Sequence, residues 1–243
     1  MQSSNPILTR AEVSTNYGHP MTVEGAIQKS LLLTGVAAVV GIAVYLIAHS
    51  TNNIGLATAS WLIGMIGSLI LGLVMTFKSH LAPTLAIPYA LFEGALLGGI
   101  TMFFEMRYPG IATKALLATF VTTGVMLGLY KAGIIRATEK FKAIVIGATF
   151  AIMAVFLIQW VMVLAFGSSI PGLFEGGILG IGFAAFVAII ASLNLILDFD
   201  LIENAAAQRA EKSFEWLCGV ALLATLVWMY ISFLRLIGML SDD

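Results

Sequence analysis

Residues 30–49 read SLLLTGVAAVVGIAVYLIAH, a run without one charged side chain. The hydrocarbon core of a bilayer is about 30 Å thick, and a helix needs roughly 20 apolar residues to cross it. The run meets that length and lacks the short alternating pattern of an outer-membrane barrel strand. It reads as a transmembrane helix. Outward along the chain, six further runs qualify, at approximately 54–77, 81–104, 111–130, 143–166, 176–197 and 214–238. The spacing predicts an all-α integral membrane protein, a seven-transmembrane-helix bundle forming one domain over 30–243 behind a polar tail, 1–29. That tail (SSNP, STNYGHP) carries no cleavable signal pattern, so the first span is expected to stay in the mature protein.

Composition leads to the same class. The 243 residues are 60% hydrophobic and 10% charged, with a mean hydropathy of +1.00. A soluble domain carries roughly 25% charged residues, and a disordered chain is poor in apolar ones. Lipid is therefore the solvent for most of the protein. Twelve Lys and Arg against thirteen Asp and Glu leave no basic surplus for a nucleic-acid backbone. Cys218, the single cysteine, has no intramolecular disulfide partner, and no Cys/His cluster has zinc spacing. HExxH, G-x-S-x-G and P-loop signatures are missing, so neither catalysis nor a cofactor is expected.

Orientation follows from the loop cations. One side receives the tail and the connections 78–80, 131–142 and 198–213, with Arg10, Lys29, Lys78, Lys131, Arg136, Lys140, Lys142, Arg209 and Lys212; the other receives Arg107, Lys114 and Arg235. This bias predicts a cytoplasmic N-terminus and an outside C-terminus, unless 214–238 is re-entrant. Small residues four apart (Gly64/Ser68/Gly72, Gly94/Gly98, Gly124/Gly128, Gly176/Gly180) predict close helix packing. A compact monomer is the expected use of those faces, ahead of a homo-oligomer.

Ionisable residues at membrane depth are costly and usually functional, and few occur here. Glu93 lies mid-span in ALAIPYALFEGALLGGI, five residues after Pro88. It reads either as a neutral acid hydrogen-bonded to a neighbouring helix or as a proton or cation site. The sixth span ends in SLNLILDFDLIEN. There Asp198, Asp200 and Asn194, one turn before Asp198, offer hard oxygen ligands for weak calcium contact, or serve as solvated helix-end groups. Lys78 and His80, in the tight turn between spans two and three, are either electrostatic partners of that acidic cluster or solvated turn residues. Arg235 is expected to snorkel toward the headgroups, Glu105 and Arg107 to form an exposed loop pair, and Gln159 to make a packing hydrogen bond.

Seven segments in order, SSNPILTR, MTVEGAIQKS, YALFEGALLGGI, YPGIATKALLATF, MLGLYKAGIIRATEKFK, LILDFDLIE and LVWMYISFLRLIGML, make the chain resemble the Bax inhibitor-1/YccA family, in its bacterial Bax-inhibitor-like branch. The resemblance implies a central seventh helix wrapped by the other six and a pH-sensitive cation leak usually discussed for calcium. It also implies a role in restraining stress responses, a place in the bacterial plasma membrane, and modulation of a membrane-bound AAA protease of the FtsH type. Its proposed sensor is a carboxylate pair, one at the end of span six and one within span seven. The first falls on Asp198. For the second, GVALLATLVWMYISFL has Ala224 and Thr225 at the candidate positions and no acid between Glu215 and Asp242. That leaves Asp200 or Glu93 as a substitute, or a branch without the gated leak. Glu93 is expected roughly 14–18 Å above the cytoplasmic edge at 1.5 Å per residue, and Asp198 near that edge.

Overall fold

The computed structural model describes residues 20–241. Residues 1–19 of the predicted tail, with Arg10, lie outside that range, as do Asp242 and Asp243. Among the described residues the chain forms seven long helices: α1 (Val23–Ser50), α2 (Ile54–Phe77), α3 (Ala82–Arg107), α4 (Ile111–Lys131), α5 (Glu139–Phe166), α6 (Ile178–Ala207) and α7 (Phe214–Ser241). A single 3-10 turn, Ser79–Leu81, joins α2 to α3. All seven are long and apolar enough to cross a membrane. Helices are the expected solution, because no water in the bilayer core can satisfy exposed backbone groups.

Helix starts follow local chemistry. Thr22, Asn53 and Thr138 each accept a backbone N–H three residues on, from Gly25, Leu56 and Phe141, satisfying a donor that the first turn leaves open. Pro83 sits in the first turn of α3, where its missing N–H costs nothing. Pro88 lies inside α3 without ending it. Two ends run beyond the apolar runs: α1 starts at Val23 rather than near 30, and α6 continues to Ala207 rather than stopping near 197. Polar residues in those extensions lie on helices that clear the hydrocarbon.

The helices form a chain of packed neighbours. α3 lies against α1 and α2, α7 against α1, α3, α4 and α6, and α5 against α6. Half of the most apolar stretch of α3 and of α7 is buried, against 11% in α5. α7 is thus central, but α2 and α5 form outer layers that rest on α3 and α6, so it is not evenly wrapped by six helices. The α1–α3–α2 seam runs through glycines. A Cβ on Gly98 would stand 2.5 Å from the Gly41 carbonyl oxygen and 2.7 Å from Val44 Cβ, and one on Gly99 would stand 2.5 Å from the Ala57 carbonyl oxygen. A Cβ on Gly64 would collide with the backbone of Leu96. Of the predicted small-residue faces, 64/68 and 94/98 are therefore used. Gly124 and Gly128 face open space, and Gly176 lies in the loop before α6.

Two carboxylates cap helices that are not their own. Glu215, in the first turn of α7 and 2% exposed, accepts the Thr22 backbone N–H at 3.0 Å and the Thr22 hydroxyl at 3.3 Å. Its negative charge thereby meets the positive end of α1. Any side chain at Gly25 would collide with this carboxylate. Beside it, the Met21 N–H donates to the Ala210 carbonyl at 2.9 Å. On the opposite face of the bundle, Glu105 accepts from the Gly110 N–H at 2.6 Å and the Ala112 N–H at 3.0 Å, capping α4. Gly110 makes this turn with φ +83°, a conformation that favours glycine. The expected Glu105–Arg107 pair is replaced by this cap, and Arg107 instead donates to the Tyr108 hydroxyl at 2.8 Å.

Gly98→Ala should lower stability by about 1–3 kcal/mol, the range for overpacking a close contact. Gly124→Ala, facing open space, should be neutral or stabilising by up to about 1 kcal/mol. Melting curves of the purified variants in one detergent separate the two. In the same assay Glu215→Ala, which strands the Thr22 N–H, should cost about 1–3 kcal/mol, whereas Glu139→Ala, at an exposed residue, should cost little.

Candidate functional site

Among the described residues, the buried side-chain oxygen and nitrogen atoms without a hydrogen-bond partner number two: Oε2 of Glu93 and Oδ2 of Asp198. Most buried polar groups in proteins are paired, so each orphan calls for an explanation. Both belong to acids that stand out in the sequence as deep and uncompensated.

Glu93 is 6% exposed and lies on α3. Its carboxylate is within reach of two hydroxyls, Tyr89 one turn earlier on α3 and Ser68 on α2. The one hydrogen of Ser68 Oγ is also within reach of the Met65 carbonyl, at 3.3 Å, so the carbonyl and the carboxylate compete for it. Tyr89 belongs to the packed cluster that contains Leu223 and Val227 of α7. Glu93 therefore touches α2 directly and meets the central helix through its tyrosine neighbour. The glycines beside it set the depth of this site. With Gly94 packed onto the Ala37 carbonyl of α1, no water-sized gap separates the helices on that side.

Asp198 points from α6 to α7, where the Thr225 hydroxyl is close enough to interact with it and Cys218 lies nearby. Thr225 is 8% exposed. The position at which the sequence lacks a second acid is thus filled by a hydroxyl, and it faces Asp198. Neither Asp200 nor Glu93 takes that place. Asp200 pairs with Lys142 at 2.8 Å, and Lys142 also approaches Glu139 at 3.6 Å. Glu93 lies on α3, which has no substantial packing contact with α6.

Asn194 is likewise occupied elsewhere. Its Nδ2 donates to Thr149 Oγ1 on α5 at 3.0 Å and to the Ile190 carbonyl at 2.8 Å. It ties α5 to α6 and is not shown beside Asp198. Lys78 and His80 are exposed in the turn between α2 and α3, with no ion-pair partner among the described residues. The structure thus joins Asp198 to Thr225 and Glu93 to Ser68 and Tyr89, and it disperses Asp200, Asn194, Lys78 and His80.

Because α6 runs on to Ala207, Asp198 stands about 14 Å from the end of its helix, and Glu93 and Thr225 stand about 16 Å from the starts of α3 and α7. All three ends lie on the same, basic face of the bundle. Measured along their helices, the two acids lie at similar distances from those ends, on the two sides of α7.

Several contributors went unmarked in the sequence. Tyr89 is an i−4 neighbour of Glu93, so its helical spacing was readable. Ser68 was noted only as a small residue, and Thr225 only as a missing acid; assigning them needs the packing of α2 and α7. Arg235 departs most from expectation. Instead of reaching for headgroups, it turns inward, with its guanidinium 4.4 Å from the Phe174 ring centre and 5.5–5.6 Å from those of Phe183 and Phe156. It donates to the Leu173 carbonyl at 3.1 Å. The expected Gln159 bond is present, to the Ile170 N–H at 2.8 Å, and together these contacts pin the loop between α5 and α6.

No curated protein matches the chain. A family model described as "Bax inhibitor 1 like" matches residues 5–242, nearly the whole length. With seven membrane-spanning helices and that match, the chain belongs to the Bax inhibitor 1-like family.

Proposed function

We propose that this protein is a non-enzymatic, monomeric bacterial plasma-membrane protein that conducts or senses protons, with calcium as the second candidate ion, in a stress response. The observation that carries the reading is the pair of orphaned carboxylate oxygens, Glu93 Oε2 and Asp198 Oδ2, on the two helices flanking α7. A buried carboxylate oxygen without a donor is stabilised by a proton or by a cation, and each of these has neutral hydroxyls beside it that can donate or accept. Asp198 with Thr225 would act as the gate, and Glu93 with Tyr89 and Ser68 as the relay within the membrane.

The chemistry favours the proton. Calcium takes six to eight oxygen ligands, several of them charged, whereas Asp198 meets one hydroxyl where relatives of the resembled family place a second acid. A carboxyl and a hydroxyl can pass a proton without collecting a coordination shell. Ionising Asp198 would place an unpaired charge between α6 and α7, and separating those helices to admit water would relieve it. The positive-inside bias, with Lys131, Arg136, Lys140 and Lys142 on one face, supports a cytoplasmic N-terminus and a cytoplasmic position for the end of α6.

A second reading is a non-conducting membrane scaffold that regulates a membrane-bound AAA protease of the FtsH type. The favouring observation is the clamp of Met21 and Thr22 onto Ala210 and Glu215. It joins the tail-bearing start of α1 to the start of α7, so a partner held by the tail would bear directly on the central helix.

In proteoliposomes carrying an interior pH dye, Asp198→Asn and Glu93→Gln should each cut proton flux by about tenfold or more, the scale of losing a charge-assisted site. Unchanged flux in both variants overturns the conducting reading. Thr225→Asp, which installs the second acid, should raise calcium flux above that of the unaltered protein. Deleting residues 1–19 should leave flux intact; loss of protease binding on that deletion, with no flux in any form, would establish the scaffold reading instead.

A further inference from the structure

On the basic face, the end of α4, the connection 132–138 and α6 line an open cavity of about 430 Å³. Its volume lies in the range of small-ligand sites. Tyr130, Lys131, Gly133, Arg136, Asp200 and Glu203 are among its lining residues, and none of them belongs to the Glu93 or Asp198 pairs.

The lining has two electrical halves. Lys131 and Arg136 form a cationic half and make no ion pair among the described residues. Arg136 lies along the backbone of Gly133, where a Cβ would stand 3.3 Å from its Nη2, and Gly133 holds φ +69°. A side chain there would push the guanidinium aside. The anionic half is Asp200 and Glu203. Lys142 neutralises Asp200 at 2.8 Å from outside the lining. Among the described residues Glu203 accepts only from the Tyr130 hydroxyl, at 2.7 Å, a neutral donor. The Tyr130 ring is steadied by Phe199, 5.8 Å between centres.

We infer that this cavity binds a zwitterion carrying a phosphate and a primary ammonium group. A guanidinium matches phosphate geometry with paired donors, and Lys131 adds a second cation. A primary ammonium has three N–H donors for Glu203. A plain anion would leave Glu203 facing like charge, and a plain cation would leave Lys131 and Arg136 unanswered. Two sources offer this chemistry: the headgroup of phosphatidylethanolamine and free phosphoethanolamine. Ile134, in the same connection, is 71% exposed, and Leu201 on α6 is 39% exposed. These apolar neighbours at the membrane edge suit acyl chains, so the lipid is the favoured source.

The test is native mass spectrometry of the full chain released from nanodiscs of phosphatidylethanolamine, phosphatidylcholine or phosphatidylglycerol with identical acyl chains. Phosphatidylethanolamine should be retained about tenfold more than phosphatidylcholine, whose trimethylated nitrogen has no N–H to donate. Arg136→Ala with Lys131→Ala should cut that retention by about tenfold. Glu203→Gln should erase the preference for phosphatidylethanolamine over phosphatidylglycerol. All three residues are exposed, so unchanged melting curves verify that the variants fold. Free phosphoethanolamine that displaces the lipid at equal concentration assigns the site to a soluble ligand of the same chemistry; failure to displace it assigns the site to the headgroup. Equal retention of the three lipids with no binding of free phosphoethanolamine, or retention unaffected by the variants, overturns the inference.

Discussion

In hydrocarbon a polar group has no water to fall back on, and that constraint organises this protein. Backbone groups close on themselves in seven helices, and the donors left at helix starts are met by Thr22, Asn53 and Thr138 or, across helices, by Glu215 and Glu105. Serine and threonine hydroxyls within the spans bond back to carbonyls one turn earlier, as Ser30, Thr119, Ser192 and Ser232 do. Against so complete a pairing, the open oxygens of Glu93 and Asp198 are the exceptions. Retaining two such groups is costly, and the proposed role in moving or sensing protons would give that cost a purpose.

The position of α7 makes the two exceptions one system. Thr225 on its α6 side meets Asp198, while Leu223 and Val227 share a packed cluster with Tyr89, the neighbour of Glu93. At its start, Glu215 fastens α7 to α1, and near its other end Arg235 is enclosed by three phenylalanines and bonded to the α5–α6 loop. The helix is tethered at both ends and carries the acid contacts between them. The glycine seam of α1, α2 and α3 provides a rigid wall on one side. On the other, α5 rests mainly on α6, and only 11% of its most apolar stretch is buried.

Much of this was legible in the sequence, and the remainder shows where sequence reading runs out. The second span was read at its observed limits, 54–77, because charge and turn residues bracket it closely. The sixth was cut short because DFDLIEN ends the apolar run, yet polar residues continue a helix readily once it reaches water. Glu93 and Asp198 were legible because one acid lies within an apolar run and the other closes one. Their hydroxyl partners were not, because Ser68 and Thr225 gain meaning only from the helices they face. Arg235 was read as a snorkelling anchor from its place near a helix end, and the aromatic enclosure that reverses this comes from two other helices and a loop. Gly94/Gly98 and Gly124/Gly128 share one spacing, but only the first pair meets a partner.

The central claim is that Glu93 and Asp198 exchange protons inside the bundle, and infrared difference spectroscopy of the lipid-reconstituted protein between acid and alkaline pH reads this directly. The account predicts protonated-carboxyl C=O components that change with pH above the ordinary carboxyl range, one lost in Asp198→Asn, another in Glu93→Gln, and both lost in the double variant. A spectrum with no pH-dependent carboxyl band, or one that the double variant leaves intact, would contradict it.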